Sequence, residues 1–466
     1  MSLSMVIESE KVEASLSRLM KHKYSLFFVL LTLIASCSGG SSSGSDSLNI
    51  PPVPPQTYPS HPLIWDTANP ESVGMNASSL SSAIDYAFQD GSYTQAVVVI
   101  KDGKLIAERY RGITDNEANN LASELGESSV FYKSLYSPRD QNSFISSWST
   151  AKSFTSFLIG IAVESGSIGS IEDSASQYIT EWSKDDRSSI TIKNILDMRS
   201  GLVPICYNPA TQSLGECLTA ADSSSGGNIV YADDQMTKCI NRNLASDGYH
   251  PWYENGSSLY TRGAFQYSNC DTMILGEILF RTTGQDLQTY AEYNLFSKIG
   301  IDAAWWRDFT SDGQSNGNYL AYCCLDSTAR DFAKFGHMLL LDGVWEGSNQ
   351  KYSSYVNLIK NLNAYGLQFW TICARPQSNC EESIISTIGF DGQYIMIDFD
   401  RNIVVVRASL YAPIQNLSQD RKMKLDPNNL SQSNWIATVP NAIGASIRNE
   451  SPNISAFYSM ILDSIN

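Results

Sequence analysis

Apolar positions along this chain follow two periods. Asn76 precedes Leu80, Ile84, Tyr86 and Phe88, the spacing of an amphipathic helix with an Asn cap. Ala96-Val97-Val98-Val99-Ile100, then Lys101-Asp102-Gly103, then Leu105-Ile106-Ala107 predict two strands joined by an Asp-Gly hairpin turn. Near the other end, Tyr394 to Phe399 and Ile403 to Arg407 predict a second hairpin about Asp400-Arg401-Asn402. Ser451-Pro452 predicts a last helix through Phe457, Met460 and Ile461, with Ser as cap and Pro in the first turn. Between the hairpins the pattern is mostly helical, with loops. The simplest assembly is an α/β (α+β) fold. One antiparallel sheet drawn from both chain ends is flanked by helices, and a mostly helical second lobe, roughly residues 155–380, packs against it. Clefts between such lobes are favoured ligand sites.

The start of the chain departs from this pattern. Lys21, His22 and Lys23 precede an apolar run from Leu26 to Ala35. The run falls short of the about 20 residues of a spanning helix, and it suits the hydrophobic region of a secretory signal. It ends Ile34-Ala35-Ser36-Cys37, small residues before a Cys, as in a bacterial lipobox whose Cys is lipidated. An ordinary secretory signal with an incidental Cys is the other reading. Residues before Met20 are polar for a signal, so Met20 is a second candidate start. Ser38 to Ser45 is Ser/Gly-rich and Pro51 to Pro55 is Pro-rich, a flexible coil followed by a stiffer spacer. Residues 1–37 are therefore expected to be a signal with lipobox, 38–60 a tether and 61–466 the folded domain. The domain would be exported and held at the bacterial cell envelope by a lipid anchor on Cys37. Gly40 to Gly44 spells G-x-S-x-G, but without the strand and helix that a nucleophile elbow needs.

Composition narrows the classes. The 466 residues are 42% hydrophobic and 17% charged, which is globular. The net charge of -16 repels phosphate backbones and argues against a nucleic-acid partner. With 4 His a His-rich metal site is not expected. Nine Cys, less Cys37, leave an even set that could form disulfides in an exported chain. Cys206–Cys217 and Cys373–Cys380 are the simplest local pairs, with connectivity left open.

The sharpest chemical segment runs from Ser149 to Gly160. Ala151, Phe154, Phe157, Leu158, Ile161 and Ala162 recur at helical spacing. A helix beginning near Ser149 places Lys152 one turn later on the same face. A Ser hydroxyl at a helix start then meets an amine, and the helix N-terminus favours developing negative charge. A desolvated Lys, partly neutral, can activate such a Ser without His. S-x-x-K alone is common; Ser348 to Lys351 fits it too, in a polar stretch. Ser149 differs by the apolar helix behind it. A second element is Tyr267-Ser268-Asn269, followed by a helical run closed by Gly284. A phenol and an amide two residues apart can face one cleft, the Tyr to move a proton and the Asn to hold substrate or Lys. A third is Thr387-Ile388-Gly389-Phe390-Asp391-Gly392-Gln393, where glycines before a strand permit close approach.

The order S-x-x-K, Y-x-N, Gly-rich strand entry resembles the β-lactamase/penicillin-binding-protein superfamily of serine hydrolases. Within it the chain resembles the class C-related esterase and amidase branch that includes 6-aminohexanoate-dimer hydrolase. Ser149 to Gly169, Ile190 to Leu202, Tyr267 to Gly284, Ala329 to Gly336 and Gly389 to Gln393 carry the resemblance. It implies Ser149 as the acylated nucleophile, Lys152 as its base and Tyr267 as proton carrier for the leaving group. It implies an oxyanion hole from the backbone N–H groups of Ser149 and Phe390, beside Gly389, with Asn269 orienting Lys152 or substrate. Trp148 is the best candidate for substrate contact. Neither metal nor cofactor is required, and the expected partner is a small ester or amide. The third motif of relatives that act on β-lactams or D-Ala-D-Ala opens with Lys or His, where this chain has Thr387. Neutral esters or amides are thereby favoured over β-lactams, unless Arg262 or Lys133 supplies the missing cation.

Two other readings compete. A Ser–His–Asp hydrolase would draw on His61, His250 or His337, yet His337 lies in an apolar helical run and His250 precedes Pro251. A non-catalytic, lipid-tethered envelope protein binding peptidoglycan fragments would not need Ser149, Lys152 and Tyr267 together. Trp252 and Tyr253 are candidates for the cleft entrance.

Overall fold

A computed structural model describes residues 65–125, 128–203, 234–245, 263–308, 317–344, 352–376, 379–410 and 452–466, with short pieces at 205–208, 213–216, 229, 248–249 and 259–260. The expected signal, Cys37 and the tether lie outside the described residues, as do His61, His250, Trp252, Tyr253, Arg262 and Ser348 to Lys351.

Six strands form the main sheet: β1 (Thr94–Lys101), β2 (Lys104–Tyr110), and, after a smaller sheet, β6 (Trp370–Cys373), β7 (Ser383–Gly389), β8 (Gln393–Asp398) and β9 (Ile403–Ser409). Their spatial order is β6-β7-β8-β9-β1-β2, and every pairing is antiparallel. The two predicted hairpins are adjacent in the sheet, joined where Val98 faces Val406. The chain thus closes one sheet from both ends. The smaller sheet comprises β3 (Phe144–Ser146), β4 (Ala303–Trp305) and β5 (Leu325–Thr328), with β5 in the middle.

Helices cover both faces of the main sheet, and this explains its unbroken apolar strands. Side chains alternate along a strand. Val97, Val99, Ile403, Val405 and Met396 pack on one side with α1 (Ala77–Ala87) and α5 (Ile454–Leu462). Ala96, Val98, Ile100, Val404, Val406 and Ile395 pack on the other with α2 (Ala151–Glu164) and α4 (Ala329–Leu340). An antiparallel sheet buried on both faces reads as continuous hydrophobic runs rather than as alternation.

Local signals act as the sequence implies. Asn76 caps α1 by accepting from the Ser79 N–H at 2.8 Å. Helix α3 (Asn269–Thr283) is capped by Ser268 and closes on Gly284 at φ 70, the left-handed value that favours glycine. The last helix departs from expectation. Its cap is Asn453, not Ser451, because the Asn453 side chain accepts the Ala456 N–H. Strand β6 also corrects the expected lobe boundary: it lies within residues 155–380 yet forms the sheet edge, paired from Trp370 to Cys373 with β7.

Helix α2 is buried on every side from Ala151 to Ala162. Its polar residues are accommodated by donating inward. Ser153 donates to the Gln368 carbonyl at 2.7 Å, Thr155 to the Ala321 carbonyl at 2.7 Å and Ser156 to the Leu367 carbonyl at 2.6 Å. Each buried hydroxyl left without a partner would cost about 1–3 kcal/mol. These bonds fix the rotation of the helix that carries Lys152. Three cysteine pairs stand at disulfide distance: Cys239–Cys270, Cys323–Cys324 and Cys373–Cys380. The side chains of Cys206 and Cys217 are outside the described residues.

Candidate active site

Ser149 sits in a single 3-10 turn, Trp148–Thr150, that runs directly into α2. Trp148 has φ 46, a left-handed conformation uncommon for a bulky residue. The chain therefore turns sharply just before Ser149, which keeps part of its surface open while Lys152 behind it is 1% exposed. Such local strain persists only where its surroundings over-determine it. Here Ser147 is held from both sides of its residue: its N–H donates to the Leu325 carbonyl at 2.9 Å, and its hydroxyl accepts from the Leu325 N–H at 3.0 Å.

Among the described residues, the Lys152 amino group hydrogen-bonds to Ser149, Asn269 and Tyr322. It donates to Ser149 Oγ at 2.9 Å, to Asn269 Oδ1 at 2.7 Å and to the Tyr322 carbonyl at 3.1 Å. Its Nζ also lies 4.7 Å from the centre of the Tyr267 ring. Ser149, Lys152, Tyr267 and Asn269 therefore converge, although more than a hundred residues separate the two halves of the set. The buried Lys152 Nζ is in direct contact with the Ser149 hydroxyl.

Gly389 ends β7 directly against the Ser149 turn. A Cβ at Gly389 would lie 2.1 Å from the Ser147 carbonyl oxygen, so only glycine permits this approach. Phe390 follows, and its ring meets Trp148 edge-to-face at 5.6 Å. Thr387 is fully buried, with its hydroxyl 3.2 Å from that of Thr150. An aromatic wall continues from Tyr267 through Trp370 (5.9 Å) and Tyr365 (4.6 Å from Trp370) to Phe265 (5.0 Å from Tyr365). The buried Trp148 Nε1 and the buried Tyr365 hydroxyl find no hydrogen-bond partner among the described residues. Burial pushes the Tyr365 hydroxyl well above its ordinary value, so it is a neutral donor.

Behind Asn269 lies a buried ion pair. Arg242 donates to Asp271 at 2.7 Å and to the Ser268 hydroxyl at 3.1 Å, and both charged side chains are within 1% of full burial. Burial raises the Asp271 carboxyl, and Arg242 opposes that rise. Because Ser268 is the cap of α3, this pair fixes the turn that presents Tyr267 and Asn269.

Other candidates lie elsewhere. Lys133 pairs with Asp115 at 2.8 Å in an exposed ion pair. The His337 ring packs on Trp65 at 5.6 Å, and the Gly103 turn lies against it. Sequence reasoning missed the Tyr322 carbonyl, which acts through its backbone and leaves no residue-type signal. It also missed Gln368, which is 1% exposed and bonded to Ser153, Thr272 and the carbonyls of Ile195 and Leu196. Its φ of 61, next to Leu367 at φ 48, comes from a tertiary constraint that no local pattern announces.

A family model described as Beta-lactamase matches residues 87–413, most of the chain. The chain belongs to the beta-lactamase family. It is accordingly an enzyme of the serine-hydrolase type, with the mixed antiparallel-sheet fold of that family. A 6-aminohexanoate-dimer hydrolase from Paenarthrobacter ureafaciens is 24% identical over 301 residues, 60% of this chain and 68% of that protein. A penicillin-binding protein homolog from Caulobacter crescentus has a TM-score of 0.50 at 13% identity, covering 76% of this chain and 97% of the other. A family VIII carboxylesterase has a TM-score of 0.49 at 14% identity, covering 77% and 99%.

Proposed function

We propose that this protein hydrolyses uncharged carboxylic esters or amides through an acyl-enzyme on Ser149. The observation that carries the reading is the Lys152 Nζ hydrogen-bonded at once to Ser149 Oγ and to Asn269. As Ser149 Oγ bonds to the substrate carbonyl carbon, its proton passes to neutral Lys152. The oxygen that gains charge turns to the N–H groups of Ser149 and Phe390, each such donor being worth about 3 kcal/mol. Tyr267 hands a proton to the departing alcohol or amine as the bond to it breaks. Water then enters along the reverse path, releases the acid and restores Ser149. No step calls for a metal or cofactor.

The electrostatics support an uncharged substrate. The third-motif position that is Lys or His in β-lactam-acting relatives is Thr387, whose hydroxyl is spent on Thr150. The name of the curated relative, a 6-aminohexanoate-dimer hydrolase, supports hydrolysis. The aromatic wall beside Tyr267 suits an apolar acyl or leaving group. Export and a lipid anchor on Cys37 complete the proposal from sequence alone, and incorporation of a labelled fatty acid should be lost in Cys37→Ala.

Intact-mass spectrometry tests the core of the reading. A fluorophosphonate adduct is expected on the wild-type chain and absent from Ser149→Ala, with labelling much slower in Lys152→Ala. Penicillin is expected to leave no adduct; a stable penicilloyl adduct would move the substrate class to β-lactams. Folded wild-type protein inert to both reagents would overturn catalysis at Ser149.

A further inference from the structure

Residues on the two sides of Cys323-Cys324 hold the two halves of the catalytic pair. Just before them, the Tyr322 carbonyl accepts from Lys152 at 3.1 Å. Just after them, Leu325 is bonded twice to Ser147, two residues ahead of Ser149. The two cysteines are buried, at 2% and 1% exposure, with their sulfurs at disulfide distance and their Cα atoms 3.7 Å apart. Cys324 has φ 63, a left-handed conformation that a side chain disfavours and that needs an external constraint. Its carbonyl accepts from the Trp306 N–H at 3.1 Å, while the Cys323 N–H donates to the Leu320 carbonyl at 3.1 Å.

We propose that Cys323 and Cys324 close a vicinal disulfide that holds the Tyr322 carbonyl on Lys152 and Leu325 on Ser147, so that the oxidised pair is the fully active form. The proposal rests on the Ser149–Lys152 reading above. A disulfide between neighbours closes almost no chain loop, and the entropy it removes from the unfolded state falls with loop length. Cys239–Cys270, 31 residues apart, is placed to act in that way; Cys323–Cys324 is not. What the adjacent bond supplies is local rigidity, because its small ring includes the peptide between the two residues and removes the freedom of that peptide to rotate. Rigidity is needed here because the Lys152 acceptor is a backbone carbonyl, whose position depends on the torsions on either side of it. Tyr322 is anchored on its other side by its hydroxyl, which donates to Gln235 Oε1 at 2.9 Å. Closure transfers two electrons and two protons from the two thiols to a small or protein disulfide, which leaves as two thiols. Cys323 and Cys324 are positioning residues, acting through Tyr322 and Leu325.

The test maps the bond and then removes it in the full chain. Oxidised, active protein is denatured and alkylated without reductant. The peptide bearing both cysteines should take no label and should weigh two hydrogens less than its reduced form. Labelling at both cysteines would overturn the proposal. The Cys323→Ala/Cys324→Ala variant should fall about tenfold to a hundredfold in kcat on a neutral ester, with KM nearly unchanged, as expected for lost orientation rather than lost binding. The Cys373→Ala/Cys380→Ala variant should match wild type. A folded Cys323/Cys324 variant with wild-type kcat would overturn the positioning role. Should that variant fail to fold, wild-type protein is titrated with reductant, and kcat should fall in step with the appearance of alkylatable Cys323 and Cys324 rather than with opening of Cys239–Cys270 or Cys373–Cys380; a fall that tracks either other pair would overturn the proposal. Loss of fluorophosphonate labelling in Ser149→Ala is scored separately, so failure of the nucleophile assignment is distinguishable from failure of the clamp.

Discussion

At the scale of single residues, the site is a contact problem solved by two unusual backbone positions. Trp148 at φ 46 turns the chain so that Ser149 faces outward, and Gly389 lets the end of β7 press against the carbonyl two residues before it. Gly389→Ala puts a methyl group 2.1 Å from the Ser147 carbonyl oxygen, a backbone atom that cannot swing aside. The expected result is a loss of about 1–3 kcal/mol in stability from overpacking and a larger loss in kcat, because relief displaces Phe390 or Ser149. Parallel denaturation curves and steady-state rates check this; wild-type kcat would separate the β7 end from catalysis. Lys152→Ala should reduce kcat by about 10²–10⁴-fold, the range of a lost general base. Tyr267→Phe keeps the ring beside Lys152 and removes only the hydroxyl, so kcat should fall with KM held. If KM rises instead with kcat intact, Tyr267 is a wall of the cleft and not a proton carrier.

Among elements, the start of α3 decides whether Asn269 reaches Lys152, and it is held by a charge pair with no access to water. Arg242→Ala would leave Asp271 buried without its counter-charge. Removing one partner of such a pair costs about 3–5 kcal/mol, so a large drop in unfolding free energy is expected. Replacing both partners with well-packed apolar residues, Arg242→Met with Asp271→Leu, should cost much less, and calorimetry of the two variants tests the difference. Equal losses would show that shape, not charge, holds the turn. How much of this was legible in the sequence depends on the range of the interaction. The hairpins at Asp102-Gly103 and Asp400 to Asn402 and the cap at Asn76 are local signals and read correctly. The S-x-x-K and Y-x-N elements are local too, and the family resemblance ordered them into one site. The placement of Ser451 as a cap failed because Asn453, two residues on, competes for the same role with a side chain suited to it. The Arg242–Asp271 pair and the Gln368 hub were invisible, since each joins segments whose pairing only the finished fold determines. The sheet-edge strand Trp370–Cys373 was absorbed into the helical lobe because four residues carry too little periodicity.

At the scale of the whole molecule, a surplus of acidic groups must be folded into a core that buries some of them. Asp308 is the clearest case: it is fully buried and burial pushes its carboxyl up to about 7. The Gln235 N–H at 2.8 Å and the Asn318 N–H at 2.6 Å oppose that shift, and nearby Asp234 adds to it. An acid whose folded value lies above its unfolded value of 3.8 binds more protons in the folded state. Stability from this group is therefore full below 3.8 and is lost as pH rises through about 7. The loss amounts to roughly 4–5 kcal/mol, at about 1.4 kcal/mol per unit. Asp185 acts in the opposite sense and in a different window. Arg187 lowers its carboxyl to about 2, so its contribution is present above 3.8 and lost as pH falls through 2. Denaturation free energies measured from pH 4 to pH 8 should fall with rising pH in wild type. In Asp308→Asn, which cannot ionise, that slope should flatten whatever the absolute stability of the variant. An unchanged slope would show that Asp308 is ionised throughout the range, its carboxylate held by the two backbone N–H groups that meet it.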